Sequence, residues 1–224
     1  MSKRLVITID GPAGAGKTTV SRSLAARLGY TYVDTGALYR AVGFAAKLKG
    51  IDPDDDDAMA VLCKEMRLEM TLSGGNLSLR VNGEEIADKI RTPEMSRMAS
   101  AVSARPVVRE FLLDMQRQMG AAGGVVLEGR DTGSVIVPDA DVKFYLDADL
   151  AVRAARRFAE LPPEAGQPLD AVTRDMKKRD EKDKNRAIAP LIVPDGAVVI
   201  DASEMDAEAV VACMLDHVGD YRSR

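Results

Sequence analysis

The stretch at residues 11–18 constrains the fold of this chain more than any other. It has the sequence Gly-Pro-Ala-Gly-Ala-Gly-Lys-Thr and fits the pattern G-x-x-x-x-G-K-[ST]. A β-branched apolar run precedes it at residues 5–9, and the pattern that follows predicts a helix over residues 17–28 that ends before Gly29. A glycine-rich turn between a buried strand and a helix is the context in which this pattern binds phosphate. The sequence therefore predicts an α/β fold with a phosphate-binding loop.

The residue types in this loop suit a nucleoside triphosphate. Glycines allow several backbone N–H groups to point at one phosphate, and the helix N-terminus adds partial positive charge. Lys17 is placed to reach the β- and γ-phosphates, and Thr18 to offer its hydroxyl to Mg²⁺. An ordinary glycine-rich turn would not need a lysine and a threonine at its last two positions.

Composition narrows the class of protein further. The chain has 224 residues, of which 46% are hydrophobic, which allows one α/β domain with a smaller insert. The net charge of −4 lacks the basic surplus of a nucleic-acid binder, so we expect no nucleic-acid partner. No apolar run approaches the ~18 residues of a membrane span. The first residues lead directly into a strand rather than a signal peptide, so we expect a cytoplasmic protein with no membrane partner.

The cysteines and the histidine of this chain do not form the pattern of a catalytic or metal site. Cys63 and Cys213 are far apart in the sequence and neither has metal-ligand spacing, which favours two small apolar residues in a reduced protein. The only histidine, His217, lies on an amphipathic pattern near the C-terminus, where packing or exposure is the simpler interpretation. A Ser/His/Asp triad or a histidine-based metal site is therefore disfavoured.

Predicted strands and helices alternate outside the middle of the chain. This alternation, with apolar strands, is typical of a parallel sheet covered by helices on both faces. We expect Ser203 to cap the last helix. The further predicted strands are residues 30–33, 125–127, 142–146 and 197–200, and the further helices include residues 36–49, 106–119 and 150–158.

The middle of the chain has a different pattern. Residues 68–72 and 77–81 alternate around a Ser-Gly-Gly-Asn turn, and Asn82-Gly83 is a second tight turn, so we predict a small antiparallel insert. Thr92 and Pro93 are a helix cap and first turn. The acids at residues 54–57 lack the ligand spacing of a calcium loop and are interpreted as the start of a helix over residues 58–66.

Four further polar segments carry arginines that could converge on a phosphate monoester. They lie at residues 34–40, 129–133 and 179–186 and at the helix start that carries Arg109. Arginine forks match phosphate oxygens well, and doubly wound sheets bind ligands where their strands end. Taken alone, residues 179–186 could equally be a solvated helix face, Asp34 a helix cap, Tyr39 a core aromatic and Arg109 a surface residue.

Together with the loop, three of these segments resemble bacterial cytidylate kinase. They read D-T-G-A-L-Y-R at residues 34–40, G-R-D-x-G at 129–133 and R-D-x-x-D-x-N-R-A-x-A-P-L at 179–191. The resemblance covers essentially the whole chain. It implies the P-loop NTPase fold of nucleoside monophosphate kinases, with a core at residues 1–62 and 104–224, a monophosphate-binding insert at 63–103 and a mobile lid at about 156–168. It also implies transfer of the γ-phosphoryl group of ATP to CMP or dCMP by a monomer, with Mg²⁺.

The resemblance also implies roles for individual residues. Lys17 would act in transfer, with Arg153, Arg156 and Arg157 as lid arginines. ATP phosphates would be held by Gly11, Pro12, Ala13, Gly14, Ala15, Gly16, Lys17, Thr18 and Thr19. The CMP phosphate would be held by Thr35, Arg40, Arg130 and Arg186, the cytosine by Ser100, Arg109 and Asp131, and the ribose by Arg179 and Asp183.

Several alternatives stay open at this point. Either Thr18 or Thr19 could lie nearest Mg²⁺, and Glu128 is either a metal partner through water or a structural acid. Asp131 could orient an arginine rather than contact the base. The acceptor could instead be UMP, AMP or shikimate, and a nucleotide-dependent switch or adaptor is the rival from another class. The sequence contains no Asn-Lys-x-Asp stretch to recognise guanine, which disfavours a GTPase switch.

Overall fold

The computed structural model describes residues 3–73, 76–161 and 166–223. Its strands are β1 (Val6–Asp10), β2 (Thr31–Asp34), β3 (Leu68–Ser73), β4 (Asn76–Val81), β5 (Glu84–Glu85), β6 (Val125–Gly129), β7 (Val142–Asp147) and β8 (Val198–Asp201). Its α-helices are α1 (Lys17–Leu28), α2 (Thr35–Leu48), α3 (Asp56–Glu65), α4 (Pro93–Val102), α5 (Pro106–Ala121), α6 (Leu150–Ala159), α7 (Leu169–Asn185) and α8 (Ala207–Arg222). One π-helical turn, Thr132–Ile136, follows β6.

Five parallel strands form the main sheet in the order β2-β6-β1-β7-β8. Ile7 and Ile9 of the central strand β1 are fully buried, as are all five residues of β6, because helices cover both faces of the sheet. The predicted parallel α/β fold is therefore confirmed. The register pairs Asp10 with Gly129 and Asp34 with Glu128, so the loops after β1, β2 and β6 leave the sheet at one edge.

The predicted antiparallel insert is also present. Strands β3, β4 and β5 form a separate three-stranded sheet. Asn82 and Gly83 both adopt positive φ angles, 52° and 83°, as the tight turn between β4 and β5 requires. The sheet does not stand apart, since Leu79 and Val81 pack into one apolar core with helices α2, α3, α4 and α5. A second core lies between the main sheet, α1 and α8.

Helix caps follow the sequence signals with one exception. Thr92 caps α4 ahead of Pro93, and Asp55 caps α3 with Asp56 and Asp57 in its first turn, so the acidic run serves a helix start. The expectation for Ser203 is wrong. Asp206 caps α8 by accepting from the N–H of Ala209, whereas the Ser203 hydroxyl donates to Asp201. No helix in the described part of the chain is long and apolar enough to cross a membrane.

Candidate active site

A cavity of about 1000 Å³ opens at the edge where β1, β2 and β6 end. It is lined on one side by the glycine-rich loop and on the others by α2, α4, the segment after β6, α6 and α7. Ten lysines and arginines and seven aspartates and glutamates are among its lining residues. The cavity is therefore cationic although the chain as a whole carries a net charge of −4.

The glycine-rich loop lies over the start of α1. Residues 13–19 line the cavity, whereas Gly11 and Pro12 are not among its lining residues. A side chain at Gly11 would meet the backbone oxygen of Leu146 at 2.0 Å, so this position needs glycine for the loop to pass β7. Gly16 caps α1 with a φ of 93° and has no side chain to bond the helix start. Among the described residues, the first N–H groups of the helix therefore have no side-chain cap and can face a ligand.

Lys17 lies at the base of this loop. Its ammonium group is buried and donates to the carbonyl oxygen of Pro12 at 2.7 Å. Burial lowers the pKa of Lys17 to about 7, the Arg130 guanidinium adds to the shift, and the Glu128 carboxylate opposes it. An anionic phosphate in the loop would restore the charged form of the lysine by the same electrostatics.

Thr18 and Glu128 meet at the floor of the cavity. The Thr18 hydroxyl donates to Oε1 of Glu128 at 2.7 Å, and the Tyr32 hydroxyl donates to the same oxygen at 2.6 Å. The second carboxylate oxygen, Oε2, is buried without a hydrogen-bond partner among the described residues. Burial and the nearby Asp34 carboxylate raise the pKa of Glu128.

This hydroxyl and the orphaned carboxylate oxygen fit a Mg²⁺ ion bound largely through water and phosphate oxygens, as the ion prefers. Within the part of the chain that the structure describes, no group of three or more His, Cys, Asp or Glu forms an all-protein metal cage. Thr19 also lines the cavity, but the bond to Glu128 comes from Thr18.

Arginines from the other segments lie close together in the same cavity. Arg40 donates to Asp34 at 2.6 Å, and Arg130 donates to Asp183 at 3.2 Å. Arg179 lies near Asp183 at 4.0 Å, and its Nε is buried without a partner among the described residues. Burial lowers the pKa of Arg179 to about 10, with Arg130 adding to the shift. These guanidinium groups retain unused donors, which suits a dianionic phosphate.

Asp131 lies between two arginines at the side of the same cavity. Its Oδ2 accepts from Arg109, and its Oδ1 accepts from Arg186 at 3.4 Å. Arg109 also donates to the carbonyl oxygen of Ser103 and lies over the ring of Tyr39, so it is buried and the alternative of a surface residue is wrong. Ser100 lines the cavity beside them.

Three more of the predicted site residues, Thr35, Arg156 and Arg157, also line the cavity. Thr35 is buried and donates to the carbonyl oxygen of Glu128 at 2.7 Å. Arg156 and Arg157 line the cavity, Arg156 donating to Ala202 and Arg157 to Glu160. Residues 162–165 of the predicted lid lie outside the described residues.

Arg153 is not among the lining residues. Its guanidinium is buried behind the loop, where it donates to the carbonyl oxygens of Ala13 and Ala148 and to the carboxylate of Asp180 at 2.6 Å. The side chain thereby ties α6 and α7 to the phosphate-binding loop.

Sequence reasoning did not select several residues that shape this site. Asp34, which the sequence offered only as a possible helix cap, does cap α2 and also accepts from Arg40. Asp10 accepts from Thr132, and Tyr32 donates to Glu128. Arg97 of α4 lines the acceptor side. The position of Asp10 at the end of a buried strand, next to the phosphate-binding loop, was a signal that could have found it.

The family model and the curated relatives agree on one family. The family model described as cytidylate kinase matches residues 7–220. Curated cytidylate kinases include one from Geobacter sulfurreducens (strain ATCC 51573 / DSM 12127 / PCA), 46% identical over 92% of this chain and 89% of the relative. Another, from Symbiobacterium thermophilum (strain DSM 24528 / JCM 14929 / IAM 14863 / T), is 44% identical over 96% of both chains. Among solved structures, a shikimate kinase from Bacteroides thetaiotaomicron has a TM-score of 0.53 at 15% identity over 97% of this chain and 99% of its own, which is a likeness of fold alone.

Proposed function

This chain belongs to the cytidylate kinase family, and we propose that it transfers the γ-phosphoryl group of ATP to CMP or dCMP, giving ADP and CDP or dCDP. The observation that carries the proposal is one cavity lined by two different sets of phosphate-binding residues. The glycine-rich loop with Lys17 is one set, and Arg40, Arg130 and Arg186 are the other. The two sets suit a triphosphate and a monophosphate whose ends must meet for transfer.

Positioning and charge stabilisation supply the catalysis in this proposal. The acceptor phosphate is already an anionic nucleophile at neutral pH, so the reaction needs no general base. Lys17 and the arginines neutralise the charge that spreads over the transferring group. Thr18, with Glu128 acting through water, would hold Mg²⁺, whose charge would add to that neutralisation.

The acceptor side contains a group that can distinguish cytosine from uracil. Cytosine carries an amino group at position 4 where uracil carries a carbonyl. A buried carboxylate such as Asp131 accepts from the amino group and repels the carbonyl. Arg109, Ser100 and Asp131 together form the base pocket that we propose, Arg130 and Arg186 hold the phosphate with Arg40 and Thr35, and Arg179 and Asp183 face the ribose.

The proposal also assigns a role to the end of α6 and to the predicted lid. Arg156 and Arg157 lie in the last turn of α6, at the start of the predicted lid of residues 156–168, and would close over the transferring group. Closure would exclude water and suppress ATP hydrolysis. The insert at residues 63–103 would enclose the monophosphate from the other side, within a monomeric enzyme.

The direct test is ADP release from ATP and Mg²⁺ with and without each candidate acceptor. We expect release to depend on CMP or dCMP and to be much slower with UMP, AMP or shikimate. Shikimate enters the panel because the fold, although not the sequence, is shared with shikimate kinases. Nucleotide binding with slow turnover and no dependence on any acceptor would reject a kinase and favour a switch or adaptor.

A further inference from the structure

Asp10 is a buried carboxylate to which none of the proposed binding steps assigns a role. It is the last residue of β1, directly before Gly11 of the phosphate-binding loop, and it is fully buried. Its backbone is paired on both sides, with Gly129 of β6 and with Tyr145 of β7. The strand therefore fixes the position of Asp10 and the start of the loop independently of the Asp10 side chain.

The carboxylate holds the turn that follows the acceptor segment. Oδ1 accepts from the N–H and the hydroxyl of Thr132, at 2.8 and 2.7 Å, and Oδ2 accepts from the N–H of Gly133 at 2.7 Å. These two N–H groups begin the π-helical turn, where a helix start leaves its donors unpaired. Burial raises the pKa of Asp10, and the donors of Gly133 and Thr132 oppose that shift by stabilising the anion.

The turn is packed too closely to find another anchor by a small shift. A side chain at Gly133 would meet the Thr8 hydroxyl at 2.7 Å, and one at Gly129 would meet the Thr35 hydroxyl at 2.6 Å. Arg130 and Asp131 lie between these two glycines. Any displacement of the turn therefore moves the two residues on the acceptor side, while the loop remains fixed by β1.

We propose that Asp10 is a positioning residue that sets the acceptor segment, with Arg130 and Asp131, in register with the phosphate-binding loop. It acts through Thr132 and Gly133 and touches neither substrate. One buried carboxylate thus joins the end of the strand that leads into the donor loop to the segment that holds the acceptor. The inference rests on the proposed function for the roles of Arg130 and Asp131.

The test is steady-state kinetics of Asp10→Asn, varying each substrate separately. Asparagine keeps the shape, but in either orientation its NH₂ group faces a backbone N–H donor, so at least one accepted bond is lost. The bonds that remain are weaker because the acceptor is no longer charged. We expect KM for CMP to rise about tenfold or more while KM for ATP changes by less than about threefold. Thr132→Val, which removes only the hydroxyl bond, should shift KM in the same direction by less.

Thr8→Val is the matched control. Thr8 lies on the same face of β1, two residues before Asp10, and its buried hydroxyl lies against Gly133 of the turn but has no hydrogen-bond partner within the described residues. The isosteric change to valine therefore keeps the packing against the turn and removes no hydrogen bond. We expect this variant to keep both KM values. If Asp10→Asn does not fold, Thr132→Val carries the comparison, because it retains the two backbone bonds.

Two kinetic outcomes overturn the inference: an unchanged KM for CMP in folded variants, or an equal rise in both KM values. Hydrogen exchange separates this failure from failure of the proposed function, because it requires no activity. In Asp10→Asn the amides of Thr132 and Gly133 should exchange faster than they do in wild type, whatever acceptor the enzyme uses. The amides of β1 should keep their wild-type rates. Unchanged exchange at these two amides would also reject the positioning role.

Discussion

At the residue scale, we expect activity to depend on Lys17 more strongly than on any other side chain. Lys17→Ala removes the charge aimed at the β- and γ-phosphates, and we expect a loss of ~3 kcal/mol of transition-state stabilisation, about a hundredfold in kcat/KM. The fold should remain, since the ammonium group makes one hydrogen bond, to Pro12. Steady-state kinetics with circular dichroism checks both parts. Lys49→Ala, which removes an exposed lysine paired with Glu65, is the matched control.

Near-normal turnover in a folded Lys17→Ala enzyme would contradict the assignment of the donor site. A large loss in Lys49→Ala would show that the assay responds to general surface charge rather than to the loop.

Asp131 offers a test of how the base is recognised. Asp131→Asn replaces an acceptor-only group with one that can also donate, so the enzyme should lose CMP activity and its preference for CMP over UMP should narrow by about tenfold or more. The competing role is orientation of Arg109 and Arg186, which the structure makes concrete through both carboxylate oxygens. In that case CMP and UMP activities should fall together. Measuring kcat/KM for both acceptors decides between the roles.

The matched control for this experiment is Asp175→Asn, which neutralises an exposed acid of the same cavity that bonds Gln167. It should leave the CMP-to-UMP ratio unchanged. An unchanged ratio in Asp131→Asn as well would leave Asp131 only its contacts with the two arginines.

At the element scale, most of the fold could be predicted from local signals. The parallel strands, the hairpins and the caps of α3 and α4 follow from apolar period, turn residues and capping residues that lie next to each other in the sequence. Ser203 shows where such signals fail. Serine and aspartate are both favoured capping residues. In the structure the Ser203 hydroxyl donates to Asp201, and Asp206 accepts from the N–H of Ala209 at the start of α8.

Substitution of Arg153 tests how α6 and α7 are joined to the phosphate-binding loop. Arg153→Ala leaves the buried carboxylate of Asp180 without its partner and two carbonyl oxygens without a donor, and breaking a buried pair of this kind costs ~3 kcal/mol or more. We expect urea unfolding to show that loss. Arg174→Ala removes an exposed pair with Asp170 within α7, the helix that carries Asp180, and should cost far less stability because water screens that pair.

A double variant separates loss of a charge pair from loss of packing. Arg153→Met with Asp180→Leu removes both charges and should recover part of the stability. Equal stability of Arg153→Ala and wild type would refute the bridge between α6, α7 and the loop.

At the scale of the whole molecule, the resemblance supplied candidate site residues but not the contacts between them. The pairs Arg109–Asp131 and Arg153–Asp180 join residues more than twenty positions apart, and no local pattern specifies which arginine meets which acid. Burial depth is likewise a property of the packed fold. Arg109 on an amphipathic helix was expected at the surface by default, and the packing of α5 against α2 places it over the Tyr39 ring instead. The roles of these residues toward substrates remain predictions.

The sign of the salt dependence of kcat/KM tests whether the cavity or the whole chain governs the approach of anionic substrates. The chain carries −4, which would repel ATP and CMP, whereas the cavity has ten basic and seven acidic lining residues, which would attract them. Charge-lined clefts focus the local field, and salt screens it over a Debye length of about 10 Å at 0.1 M. We therefore expect kcat/KM for both substrates to fall as ionic strength rises to about 0.5 M. Sodium chloride and potassium acetate, compared at equal ionic strength and constant free Mg²⁺, separate screening from competition by one anion for the phosphate sites. A kcat/KM that rises with both salts would mean that the net charge prevails and that the cationic cavity does not steer its substrates.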